Sequence, residues 1–237
     1  MTTNPLPEKY YETYDRMLEV IGSKGMGSQK LAAFTVQIGS EYEPGGLMIC
    51  GRAVNGSPYP QEWTLEEMTR AKRREIVDAI REHTLEPNLP ASQFWRVAKG
   101  IATHPDFRRA LVTENWADEI CWNDLYKIGP SETGNPSEKL RRAQFDQCVE
   151  LLQLELEYLD PKAVIIMAGE DWYSDFTKKL SIGLEPFRNW ITHVAKQGGR
   201  AWILGVHPDR KPVSASDYVA QVVAAYEKLT QQAGRAQ

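Results

Sequence analysis

The chain has 237 residues, with 28 Lys and Arg against 32 Asp and Glu, giving a formal net charge of −4. Hydrophobic residues make up 42% and charged residues 25%, which suits a globular chain with a full core; seven Trp and ten Tyr exclude a mostly disordered one. No apolar run is long enough to span a membrane, the first residues lack the basic-then-apolar order of a signal peptide, and the mild acidity argues against a histone-like, globally basic nucleic-acid binder.

Residues 7–22 read as a helix, with Tyr10, Tyr14, Met17, Leu18 and Ile21 at helical spacing and Gly22 as its stop. The following segment, residues 22–28, looks like a phosphate loop. It lacks the Gly-Lys-Ser/Thr ending and a preceding strand, and reads as a flexible connection. Residues 46–51 form a short apolar strand that stops in the turn formers of 52–60. Thr64 caps a helix to about His83, with Glu67 completing a capping box. Pro87 and Pro90 mark a loop. A helix over 91–104 places Phe94, Val97, Ala98 and Ile101 on one face, and 106–115 reads as a further short helix.

Residues 119–126 are the second strand, and 127–136 a loop. Pro136-Ser137 opens a long amphipathic helix to Leu159, whose Glu150, Glu155 and Glu157 can carry the acidic excess of the chain. Asp160-Pro161-Lys162 leads into 163–169, the clearest buried strand, and a helix over 172–180 follows. Residues 191–195 and 201–206 are strands, with Gly198-Gly199 suited to a tight hairpin. An amphipathic helix over 214–233 ends the chain. No repeat or linker appears, so 1–237 is expected to be a single domain, with 1–44 as an N-terminal helical extension.

Apolar strands alternating with amphipathic helices are the α/β signature. The expected architecture is a three-layer α/β/α sandwich on a mostly parallel central sheet of four to five strands. In such folds ligands bind beyond the carboxyl ends of the strands. That points to Arg52 to Asn55, Asn123 and Asp124, Gly169 to Asp171, and His207 to Arg210.

The three cysteines, Cys50, Cys121 and Cys148, contain no CxxC pair and read as buried, reduced thiols of a cytoplasmic protein. They are too few for a zinc ribbon or a four-cysteine cluster, and the four histidines lack metal-ligand spacing, so neither metal nor other cofactor is expected.

Asn123 near a strand end has two readings. Its amide offers donor and acceptor to a nucleobase edge, or it ties down the following loop. His207 can donate to a ligand oxygen or serve the structure. Arg210 and Lys211 suit a phosphate or a solvated turn. Glu170 and Asp171 most simply favour a helix N-terminus.

Four segments together resemble the uracil-DNA glycosylase superfamily. They are the run from Cys121 through Asn123 to Ile128, the Gly134-Asn135-Pro136-Ser137-Glu138 loop, the stretch from Leu154 through Pro161-Lys162 to Gly169, and Gly205-Val206-His207-Pro208. The similarity lies in their order and spacing and covers roughly 119–212. Gly51 to Gly56 falls where that superfamily carries its first motif, and Phe94-Trp95 is similar to its mismatch-specific branch.

The resemblance implies a monomeric, cofactor-free enzyme that flips a base out of DNA. Asn123 would read the pyrimidine edge, and His207 would stabilise charge developing on the base as the glycosidic bond breaks. Gly51, Arg52 and Ala53 would line the base pocket, with Tyr59 or Trp63 stacking on the ring. Arg210, Lys211 and Lys127 would contact DNA, supplying a local basic track beside Arg52 on a chain that is acidic overall. The first motif departs from the pattern. It has no acid to position water; Asn55 can align one but not deprotonate it. Asp124 is the nearest carboxylate, its other reading being a loop cap. Two alternatives stand beside excision of uracil or another deaminated base: a relative that binds nucleic acid or nucleotide without excision, and an unrelated α/β small-molecule enzyme.

Overall fold

Helix α1 (Glu8–Ile21) buries Tyr10, Tyr14, Met17 and Ile21, four residues at 4-3-4 spacing on one face. The computed structural model describes residues 6–53, 63–73, 92–108, 115–132, 134–210 and 214–234. These fall into two compact units. The first comprises Met1–Gln37, Arg52–Glu86 and Asn123–Tyr158, and the second Ile38–Gly51, Pro87–Trp122 and Leu159–Gln237.

In the first unit, α1 packs against the long helix α3 (Glu138–Leu159). Tyr10 donates to Glu155 Oε1 at 3.1 Å, Thr13 donates to Glu150 at 3.1 Å, and Met17 meets the thiol of Cys148. Strands β1 (Leu31–Ala33) and β5 (Ile128–Pro130) pair antiparallel. Residues 128–130 lie in the segment expected to be loop. They are held as a strand because the Gln144 amide clamps Ile128 from both sides, accepting from its N–H at 2.9 Å and donating to its carbonyl at 2.8 Å. The segment after α1 is also not a plain connection: Gly22–Met26 extends the helix by a wider turn broken by a kink at Gly25, whose φ is 74°. Residues 70–73 are helical, but Thr64 does not cap that helix: it opens a turn six residues earlier, in which the Glu67 carboxylate accepts from the Thr64 N–H at 2.8 Å and from its hydroxyl at 2.9 Å. The rest of that expected helix lies outside the described residues, as do 109–114.

The larger sheet has seven strands and is mixed, an α/β arrangement, with its parallel centre in the second unit. It comprises β2 (Gln37–Ile38), β3 (Leu47–Ala53), β4 (Ile120–Tyr126), β6 (Ala163–Met167), β7 (Glu185–Arg188), β8 (Ile191–Gln197) and β9 (Arg200–Gly205), in the order β2-β4-β3-β6-β9-β8-β7. The centre is parallel, β6 pairing with β3 on one side and β9 on the other, while β8 and β7 are antiparallel. Every residue of β6 is buried, as expected for a strand covered on both faces. The sheet exceeds the expected four to five strands because β2 and β7 are short edges: two residues in one case, four largely exposed residues in the other, neither carrying an alternating pattern.

The hairpin from β8 to β9 turns at Gly198 and Gly199, with φ of 60° and 78°, the positive values a two-residue turn of this hand demands. A bulge in β8 sets Thr192 and His193 together opposite Leu204, and both side chains reach the hydroxyl of Tyr173 on α4 (Glu170–Lys179). Gly205 pairs with Ile191, and Tyr218 of α5 (Ala215–Gly234) lies directly over it. Helix α2 (Gln93–Ala102) buries Phe94, Val97, Ala98 and Ile101. Val97 and Ile101, both fully buried, each contribute about 1.5–3 kcal/mol. Among the described residues, no helix is long and apolar enough to cross a membrane. The three cysteines are buried and unbridged.

Candidate functional site

In the second unit the parallel strands β6 and β9 end side by side. The N–H of Gly169 donates to the carbonyl of Gly205 at 2.9 Å, and one strand then runs into α4 while the other delivers Val206 and His207. The His207 side chain is 18% exposed. Its imidazole stacks on Phe94, with ring centroids 5.8 Å apart and planes inclined by 24°. Asp209 fixes both partners. Its carboxylate Oδ1 accepts from the Phe94 N–H at 3.2 Å, acting as the cap that Ser92 does not supply to α2. The Asp209 N–H points at His207 Nδ1 across a long 3.4 Å. An Nδ1 that accepts leaves the proton of the neutral ring on Nε2, which makes Nε2–H the donor.

Next to this pair, Trp95 packs edge-on against Trp122 with centroids 4.4 Å apart and also meets Trp116 at 6.4 Å. Trp95 and Trp122 are half-buried.

In the first unit, Asn123 and Lys127 sit in a closed polar network. Asn123, Lys127 and Glu155 are each 0% exposed. Asn123 Nδ2 donates to Glu155 Oε2 at 2.6 Å, and Asn123 Oδ1 accepts both from the Asp124 N–H at 2.9 Å and from Lys127 Nζ. Lys127 Nζ pairs with Glu155 Oε1 at 2.8 Å, and Tyr10 donates to the same oxygen. Two of the expectations are corrected here. Lys127 is not part of a surface basic track, because its ammonium is spent inside the unit. Glu155 does not carry acidic excess at the surface; it lies on the buried side of α3 with Cys148, Leu151, Leu152 and Leu159. The amide of Asn123 is likewise committed within the first unit, to Glu155 of α3 and to Asp124 and Lys127 just after it.

Asp124, one residue on, is 6% exposed, and burial pushes its carboxyl up to about 8, with the Lys127 charge opposing only in part. It caps no loop among the described residues. Burial also pushes the Cys148 thiol up to about 12. Gly51 is buried, with Arg52 and Ala53 half-buried at the end of β3. Trp63 is half-buried, bridges to Leu31 and carries Lys72 Nζ 5.2 Å over its ring. Arg210 closes the short helical turn Pro208–Arg210. Asn55, Tyr59 and Lys211 lie outside the described residues.

Sequence reasoning missed the Asp209 cap on α2 and the Glu155 partner of Asn123. The second left a signal. Glu155 falls on the 4-3-4 stripe of Cys148, Leu152 and Leu159, where an acid needs a buried partner. The first left none, since 115 residues separate Phe94 from Asp209. Compared with known proteins, the chain matches no family model, and no curated protein matches it significantly.

Proposed function

We propose that the protein is DNA glycosylase-like and hydrolyses the N-glycosidic bond of uracil or another deaminated base flipped out of DNA. The observation that carries this reading is His207: a partly exposed imidazole at the carboxyl end of a central parallel strand, stacked on Phe94 and oriented so that Nε2–H is its donor. Such a donor, fixed before the reaction, suits an oxygen on which negative charge builds as the bond to the sugar breaks. The order of the four resembling segments supports the same reading.

With Asn123 committed to Glu155 and Lys127, the chemistry rests on His207. In the second unit α5 covers the sheet face of Gly205, and α4 covers the face of His193. That accords with the proposed α/β/α layering, because Gly205 and Leu204, the partner of His193, point to opposite faces.

A second reading, a relative that binds nucleic acid without excision, is favoured by one specific observation. The side chain implied to read the base is wholly buried and hydrogen-bonded. One assay separates the two. Oligonucleotides carrying uracil or hypoxanthine are incubated with stoichiometric protein and treated with alkali. Cleavage at the lesion is expected. Intact strands for every lesion, with binding retained, establish the second reading instead.

A further inference from the structure

We infer that a cationic groove in the first unit, between the glycine-rich turn after α1 and the first turn of α3, is a binding track for the phosphates of a nucleic-acid strand. The inference rests on the nucleic-acid part of the reading above and adds to it a surface away from His207 in sequence and chemistry.

The groove has a volume of about 500 Å³ and is lined by Lys24, Glu138, Lys139, Arg142 and Ala143. Three of its five lining residues are cations. Lys24 and Lys139 are exposed and have no acidic partner among the described residues. Arg142 pairs with Glu138 one turn earlier, which holds its guanidinium at the groove without cancelling the other two charges. Lys139 and Arg142 stand three residues apart and so share a helix face. The α3 backbone adds positive potential there, because its first N–H groups lie at this end. Among the described residues, one of them is capped by a side chain, Leu140 N–H donating to Ser137 Oγ at 3.2 Å.

Lys24, on the opposite wall, belongs to the segment whose glycines look like a phosphate loop. Gly25 has a φ of 74°, and a Cβ there or at Gly27 would meet nothing within 4 Å, so the backbone beside Lys24 is open to a large ligand. A phosphodiester chain fits this chemistry. It carries repeated, permanently charged groups that are satisfied by cations set along a groove, whereas a closed small-molecule site would need buried donors.

The test is the salt dependence of binding to a fluorescein-labelled oligothymidylate about 20 nucleotides long. It compares the intact chain, the triple variant Lys24→Gln, Lys139→Gln, Arg142→Gln, and a control triple in which exposed Lys9, Lys99 and Lys178 become Gln. The groove variant is expected to bind at least about tenfold more weakly at low salt. Its plot of log K against log salt should be shallower by about 0.7 per lost contact, or about 2 in all. The control should change less than about threefold. All the replaced side chains are solvent-facing, and matching melting curves verify the fold.

An unchanged slope in the groove variant, or an equal loss in the control, overturns the inference while leaving the glycosylase reading in place. A groove-dependent slope without lesion excision upholds the groove and removes the glycosylase reading. Displacement of the oligonucleotide by polyglutamate at equal charge concentration also overturns the phosphate assignment.

Discussion

The N–H of Phe94 and the imidazole of His207 both meet one residue, Asp209. Asp209 accepts from the first at 3.2 Å and turns its own N–H toward the second. The strand that delivers His207 and the helix that backs it thus meet at a single residue, through its side chain on one side and its backbone on the other. Replacing Asp209 by Ala removes the helix cap, at a cost of about 1 kcal/mol, and leaves in place the backbone N–H that faces the ring. Asp209→Asn keeps an acceptor and should stay close to the parent chain. Urea denaturation of the two variants checks the difference.

His207 bears the chemical part of the proposal. Under that reading His207→Ala lowers the single-turnover excision rate about 10²–10³-fold, the usual effect of deleting one preorganised donor. The midpoint of thermal unfolding should move little, since the ring is partly exposed. A variant that excises at the parental rate removes His207 from the mechanism.

The buried Lys127–Glu155 pair makes a stability prediction that is independent of function. Lys127→Met alone leaves the Glu155 charge without its cation, and Glu155→Leu alone strands Lys127; each should cost about 3–5 kcal/mol. The double variant should lie well above either single one, because no uncompensated charge remains. Denaturant titrations of all three complete the cycle.

Asp124 gives a pH signature. Its carboxyl is pushed up to about 8 when folded, against about 3.9 for an unfolded Asp. Between these values the folded chain holds a proton that the unfolded chain releases, so this residue's contribution to stability declines as pH rises from about 4 to about 8. Asp124→Asn should flatten that slope and melt higher than the parent at pH 8. Melting curves across the range decide it; parallel curves would mean that the carboxyl is ionised in the folded chain.

Gly205 tests the packing of the second unit. A Cβ there would stand 2.2 Å from the Tyr218 hydroxyl and 2.7 Å from the Trp190 carbonyl. Gly205→Ala should therefore destabilise by about 1–3 kcal/mol or more. Adding Tyr218→Phe should recover only part, because the backbone contact persists. Calorimetry of the single and double variants reads this out.

What was legible in the sequence was periodic. The stripe of α1, the run Ala163 to Met167 and the Gly198-Gly199 turn all express local rules, and the structure has them where expected. Partners distant in the chain were not legible. Lys127 and Asn123 looked like surface and ligand groups because each is polar at a strand end. Glu155, which absorbs both, lies 28 and 32 residues further on. The short edge strands were also invisible, since two to four residues cannot display a period. For the site, the sequence pointed to His207 and Phe94 separately, and only the fold brings their rings together.

The β8 bulge puts two neighbouring residues on one side of their strand. In a regular strand Thr192 and His193 would point to opposite faces; with both set against Leu204, both reach the one hydroxyl of Tyr173, at 2.5 Å and 2.9 Å. A single side chain of α4 therefore anchors two consecutive positions of the sheet.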